Sequence, residues 1–174
     1  MIWAGAGVLF SGSSDALKEL SQLTSIPVFC TMPGKSGFDE RDPLSLGSGC
    51  GTTTQMAHEW LKDSDVILAL GSSLTRSPYA QAIPKGKILI QNTNNPDDIN
   101  KDESIQISLV GDTKLTIDQL IKTIKKKTKN NGFGDLNKIA SKIKVIKESW
   151  LAEWHDSLNS EEEPITYYRV IEEI

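Results

Sequence analysis

Asp65-Val66-Ile67-Leu68-Ala69-Leu70-Gly71 is apolar at every interior position. A strand with one wet face alternates polar and apolar residues, so a strand apolar on both sides of its pleat must be covered on both faces, the mark of a parallel sheet. Lys87-Ile88-Leu89-Ile90-Gln91 repeats the pattern, and Ile26-Pro27-Val28-Phe29-Cys30-Thr31 reads as a further strand. Ile105-Gln106-Ile107-Ser108-Leu109 alternates instead, which places it nearer a sheet edge.

Helical patterns lie between these strands. Ala16, Leu17, Leu20 and Leu23 recur at helical spacing, with Ser13 or Ser14 able to cap the first turn and Asp15 well placed near the helix dipole. Met56, Ala57, Trp60 and Leu61 mark a short helix over 52–62, and Ile117, Leu120, Ile121 and Ile124 form one stripe behind Gly111-Asp112. The segment Met32 to Gly51 holds five of the thirteen glycines and two prolines, and it reads as a long irregular loop. Strands alternating with helices predict a three-layer, doubly wound α/β domain on a mainly parallel, Rossmann-like sheet. Ile139, Ile143, Ile146, Trp150, Leu151 and Trp154 then predict an amphipathic helical connector beyond the Lys129-Asn130-Asn131-Gly132 break.

The totals narrow the function. Nineteen Lys and Arg against 23 Asp and Glu leave a formal charge of −4, no field for gripping nucleic acid or anionic lipid. No run approaches a membrane span, and Cys30 and Cys50 lack the spacing of a disulfide framework or zinc site, so a cytoplasmic setting is expected. The chain starts with Ile2 already in a strand and stops within a helix at Tyr167 to Ile174, which suggests a piece of a longer polypeptide.

The chemistry is concentrated where strands should end. Ile2-Trp3-Ala4-Gly5-Ala6-Gly7-Val8 stops an apolar run on two glycines, but a dinucleotide fingerprint would need glycine where Phe10 stands. Two readings stay open: glycines that admit a pyrophosphate, or glycines that the turn itself requires. Gly71-Ser72-Ser73-Leu74-Thr75-Arg76 and Asn92-Thr93-Asn94-Asn95-Pro96-Asp97-Asp98 should emerge beside that turn and line one crevice suited to ribose, phosphate or adenine. Asp112 is better explained as a helix N-cap than as a magnesium ligand, the lysines of 125–129 as a solvated helix end, and neither His58 nor His155 stands in a nucleophile motif. No catalytic or metal-ligating residue is therefore assigned.

The ordered set Trp3-Ala4-Gly5-Ala6-Gly7-Val8, Ile26-Pro27-Val28 through Thr31, Gly34-Lys35-Ser36-Gly37-Phe38, Asp42-Pro43-Leu44 through Leu46-Gly47, Asp63 through Gly71, and Val110-Gly111-Asp112 resembles the central domain of thiamine-diphosphate-dependent enzymes. That group contains acetolactate synthase, benzoylformate decarboxylase and oxalyl-CoA decarboxylase. The resemblance implies a six-stranded parallel domain over 1–127, a linker with an amphipathic helix over 128–164, and the start of a diphosphate-binding domain over 165–174. It also implies that thiamine diphosphate and magnesium belong to flanking catalytic domains of the same polypeptide, in a parent assembled as a homodimer or homotetramer. The fragment would itself be non-catalytic.

The family's central domain holds FAD or ADP in some members. The matching positions for ADP or FAD here are Gly5, Gly7, Thr31, Gly34, Gly71, Ser73 and Thr93, as backbone and hydroxyl donors. Against FAD, Ser73 and Thr75 stand where acetolactate synthases carry an arginine and an acidic residue, Thr93 where they have aspartate, and Cys50 where they have histidine. The alternative is a self-standing nucleotide-binding module of the NAD type.

Overall fold

The computed structural model describes residues 1–174. In chain order it runs β1 (Ile2–Ala4), α1 (Ala6–Phe10), α2 (Ser14–Thr24), β2 (Val28–Thr31), β3 (Ser45–Gly49), α3 (Gln55–Asp63), β4 (Val66–Leu70), β5 (Ile88–Thr93), β6 (Ile107–Val110), α4 (Thr113–Thr128), α5 (Leu136–Leu158) and α6 (Tyr167–Glu172). The six strands form one sheet in the order β3-β2-β1-β4-β5-β6, and every pairing is parallel. The chain winds outward from β1 in one direction, then crosses back to β4 and winds outward in the other. The switch point therefore lies between β1 and β4, where ligands of such sheets bind.

The two-residue pleat sorts the core into two layers. Ile2, Ala4, Val28, Cys30 and Leu70 face one side, where Leu17 and Leu20 of α2 and Ile117 and Ile121 of α4 cover them. Trp3, Phe29, Ile67 and Ala69 face the other, beneath Met56, Trp60 and Leu61 of α3 and Ile143 of α5. The Trp3 and Phe29 rings meet at 4.9 Å in a tilted pair. Each fully buried apolar side chain of this kind contributes roughly 1.5–3 kcal/mol, so both faces of β1 and β4 are held strongly. Asp112 caps α4 as its position predicted, its Oδ1 accepting from the Leu115 amide at 2.9 Å.

Three elements differ from the sequence reading. The irregular segment Met32 to Gly51 contains β3, a sixth strand paired with β2 across a register shift between Val28 and Cys30. Two glycines and two serines in Ser45-Leu46-Gly47-Ser48-Gly49 hide it, since strand propensity reflects bulky residues that pack on a pleat. The opening glycine turn contains the single-turn helix α1. Ser13, expected to cap α2 with its hydroxyl, instead donates to the Val8 carbonyl at 3.1 Å and ties α1 to α2.

The connector helix forms, and its stripe is divided. Ile139, Ile143, Ile146 and Trp150 pack on the α3 side of the core, while Leu151 and Trp154 are exposed, Trp154 lying 5.2 Å from the Tyr168 ring of α6. No helix is long and apolar enough to cross a membrane.

Candidate functional site

The carboxyl ends of β1 and β4 approach so closely that only glycine fits. The Gly5 amide donates to the Leu70 carbonyl and the Gly7 amide to the Gly71 carbonyl, both at 2.9 Å. Gly71 sits at φ +60°, and a Cβ there would lie 2.7 Å from Gly7 backbone atoms. This contact answers the turn reading of the opening glycines in physical terms: they permit backbone to touch backbone.

Behind this contact stands Asn92, wholly buried at the end of β5. Its Oδ1 accepts from the Gly71 amide at 3.2 Å, and its Nδ2 donates to the Leu109 and Gly111 carbonyls at 2.9 and 3.1 Å and to Thr116 Oγ1 at 3.1 Å. One amide thus joins the ends of β4, β5 and β6 to α4, with both its donor and its acceptor ends engaged.

Above the switch point opens a cleft of about 1300 Å³. It brings together six of the seven residues expected there: Gly5, Gly7, Thr31, Gly71, Ser73 and Thr93. The three strand-end loops do share one cleft wall. Gly34 does not reach it. It lies against the β1 end, where a Cβ would meet the Ala4 carbonyl at 2.7 Å, so it is a close-packing glycine.

Five of the seven expected donors are occupied within the chain, while the Thr31 hydroxyl only accepts. Besides the Gly5, Gly7 and Gly71 amides, the Gly34 amide bonds Thr31 Oγ1 at 3.2 Å, Ser73 Oγ and Thr75 Oγ1 pair at 2.9 Å, and Thr93 Oγ1 donates to Asp98 Oδ2 at 2.8 Å. Trp3 Nε1, in contrast, is buried without a partner, and Trp3 is among the residues lining the cleft.

Sequence reasoning missed the far wall, residues 77–83, because that stretch has no regular structure and takes its place from the crossover between β4 and β5. It also missed Glu103. Arg76 Nε and Nη2 meet Glu103 Oε1 and Oε2 at 2.8 and 3.1 Å, and the Arg76 amide bonds Asp102 Oδ2 at 2.9 Å. That carboxylate holds the guanidinium even more firmly protonated than usual. Nothing near Glu103 in the sequence signals a partner 27 residues earlier.

The cleft suits a flat apolar group and hydroxyls better than a diphosphate. Trp3, Phe10, Met32, Leu74 and Ile83 supply apolar lining, but the one guanidinium is taken and the glycine amides are spent. The diphosphate of ADP or FAD therefore finds no cradle of free amides at Gly5, Gly7 and Gly71. Nowhere do three His, Cys, Asp or Glu side chains converge. Cys50, on the cleft rim, has its thiol pKa lowered below the ordinary value by hydrogen bonding from the Thr52 backbone.

Comparison with known proteins agrees with this architecture. The chain is 29% identical over 156 residues to a probable acetolactate synthase large subunit of Methanococcus aeolicus, covering 86% of this chain and 26% of that protein. It is 32% identical over 154 residues to the corresponding protein of Methanocaldococcus jannaschii, covering 87% and 23%. Benzoylformate decarboxylase from Polynucleobacter necessarius shares the fold, with a TM-score of 0.58 at 21% identity over 70% of this chain and 23% of that one. The chain thus spans about a quarter of the length of these relatives. Residues 1–120 match the family described as thiamine pyrophosphate enzyme, central domain, and with that match over a parallel sheet of the same layout, the chain belongs to this family.

Proposed function

We propose that this chain is the non-catalytic central part of a thiamine-diphosphate-dependent enzyme that decarboxylates or ligates a 2-oxo acid, in the manner of acetolactate synthase. The observation that supports this is the match of residues 1–120 to a central domain, in a chain about a quarter as long as its relatives. On this reading residues 1–127 are the domain, 128–164 the linker and 165–174 the start of the next domain. Thiamine diphosphate and magnesium are held by flanking domains, in a cytoplasmic homodimer or homotetramer. When bound there, the thiazolium carbon supplies the nucleophile. This chain's residues supply the rigid spacer whose rigidity comes from the double-sided core.

For the cleft, we infer a ligand of the adenosine type. Its apolar lining accepts a base, and its hydroxyl-rich rim accepts a ribose. ADP is the less suited ligand and FAD less again, because their phosphates meet engaged donors.

The test is to express the uninterrupted reading frame that contains this chain beside the 174-residue chain alone. With thiamine diphosphate, magnesium and pyruvate, the longer protein is expected to release carbon dioxide and the shorter one to be inert. Turnover by the short chain alone would overturn the reading, and so would tight NAD binding by a reading frame that ends where this chain does.

A further inference from the structure

The cleft-lining charges are two cations, Arg76 and Lys85, against three carboxylates, Asp98, Glu103 and Asp112. Two of these carboxylates are committed locally: Asp98 accepts from Thr93 Oγ1, and Asp112 caps α4. Glu103 is different. It holds Arg76 through both of its oxygens in a planar fork, the strongest arrangement open to this pair. Its side chain is 14% exposed while that of Arg76 is 65% exposed, so the carboxylate is the fixed member and the guanidinium the accessible one. The Arg76 amide is pinned separately by Asp102 at 2.9 Å, so the backbone there stays in place whatever the side chain does.

We propose that Glu103 is the specificity-determining residue of this cleft: by occupying Arg76 it sets the site against anionic ligands and towards uncharged ones such as a nucleoside. An entering phosphate must compete for a guanidinium that already has a bidentate partner, and success would leave Glu103 largely enclosed and unpaired. An uncharged ligand meets neither penalty. Removing the Glu103 charge frees the same guanidinium to act as a phosphate fork without moving the wall. The inference rests on reading the cleft as a ligand site, and its test separates the two.

The experiment is isothermal titration of the intact 174-residue chain with adenosine, ADP and inorganic pyrophosphate at low salt. The wild type is expected to bind adenosine more tightly than ADP. Glu103→Gln should gain about tenfold for ADP and for pyrophosphate with adenosine unchanged, and the double variant R76A/E103Q should lose that gain. Glu103→Ala carries the same expectation and serves if the glutamine variant does not fold. The proposal is overturned if the charge-removing variants bind pyrophosphate no better than wild type at about 10 mM, or if the gain survives without Arg76. Adenosine binding by none of the proteins, together with a pyrophosphate gain in E103Q, would remove the nucleoside reading and leave the Glu103 assignment standing.

Discussion

Gly7 and Gly71 are in backbone contact: the Gly7 amide donates to the Gly71 carbonyl at 2.9 Å, and a Cβ on Gly7 would lie 2.6 Å from Gly71 Cα. These residues follow the two central strands, so their contact sets how far apart β1 and β4 end and hence where the cleft floor lies.

Gly7→Ala is expected to destabilise the chain by about 2–3 kcal/mol, because the added methyl meets backbone that cannot rotate away. Gly71→Ala should be worse by about 1–2 kcal/mol, since its φ of +60° is itself unfavourable for an L-residue. Gly12→Ala is the control: φ is +62°, yet nothing lies within 4 Å, so only the conformational penalty of about 1 kcal/mol applies. Urea midpoints give the order, and equal losses at positions 7 and 12 would refute the packing argument.

Asn92→Ala leaves the Gly71 amide and two carbonyls without their side-chain partner in a buried setting, a loss of about 2–4 kcal/mol. Asn92→Asp should be no milder, because a carboxylate cannot donate to the Leu109 and Gly111 carbonyls. Hydrogen exchange at the Gly71 amide reads the effect directly. An aspartate variant as stable as wild type would show that the donor side of Asn92 is unimportant.

The two thiols should react very differently. Burial pushes Cys30 up to about 11, so at neutral pH roughly one molecule in ten thousand carries the thiolate. Cys50, partly exposed, is lowered by hydrogen bonding from the Thr52 backbone. Limited alkylation of the folded chain is expected to label Cys50 more than about a hundredfold faster than Cys30. Mass spectrometry locates the adduct, and comparable labelling of both would contradict the buried placement of Cys30.

The loop before β3 should weaken in acid. Glu40 accepts from Lys35 Nζ at 2.7 Å and from Ser48 Oγ at 2.6 Å, which holds its carboxyl below the usual range. The Arg41 side chain holds Asp39 at about 2. Both groups bind protons less readily folded than unfolded, so their contribution is complete above the ordinary carboxylate range and is lost as pH falls through the folded values. Glu40→Gln should thus lower the urea midpoint at neutral pH, with the difference from wild type shrinking as pH falls below the ordinary carboxylate range. Because both carboxylates are well exposed, the effect is small. A difference that does not change with pH would show that the Glu40 charge plays no part.

Much of the architecture was legible in the residues. The unbroken apolar run of 65–71 implied a sheet covered on both faces, and β4 is the strand with Ile67 on one core layer and Leu70 on the other. Alternation at 105–109 implied an edge, where β6 lies. The crevice was legible too, as three polar strand-end loops that in a parallel sheet must emerge on one side. Strand β3 was not legible, because Ser45 to Gly49 lacks the β-branched and aromatic residues that announce a strand and is held by pairing with β2.

What the sequence by itself determined is the periodicity: which stretches bury one face, which bury two, and in what order they follow. That suffices for a doubly wound α/β fold, since burial patterns are local and repeat every two or 3.6 residues. Only the tertiary structure decided who bonds to whom. The Gly71 amide meets Asn92, the Gly7 amide meets Gly71, and Arg76 meets Glu103 because a parallel register brings together strand ends far apart along the chain. Those long-range partners, and not the residue types, determine which donors in the cleft remain for a ligand.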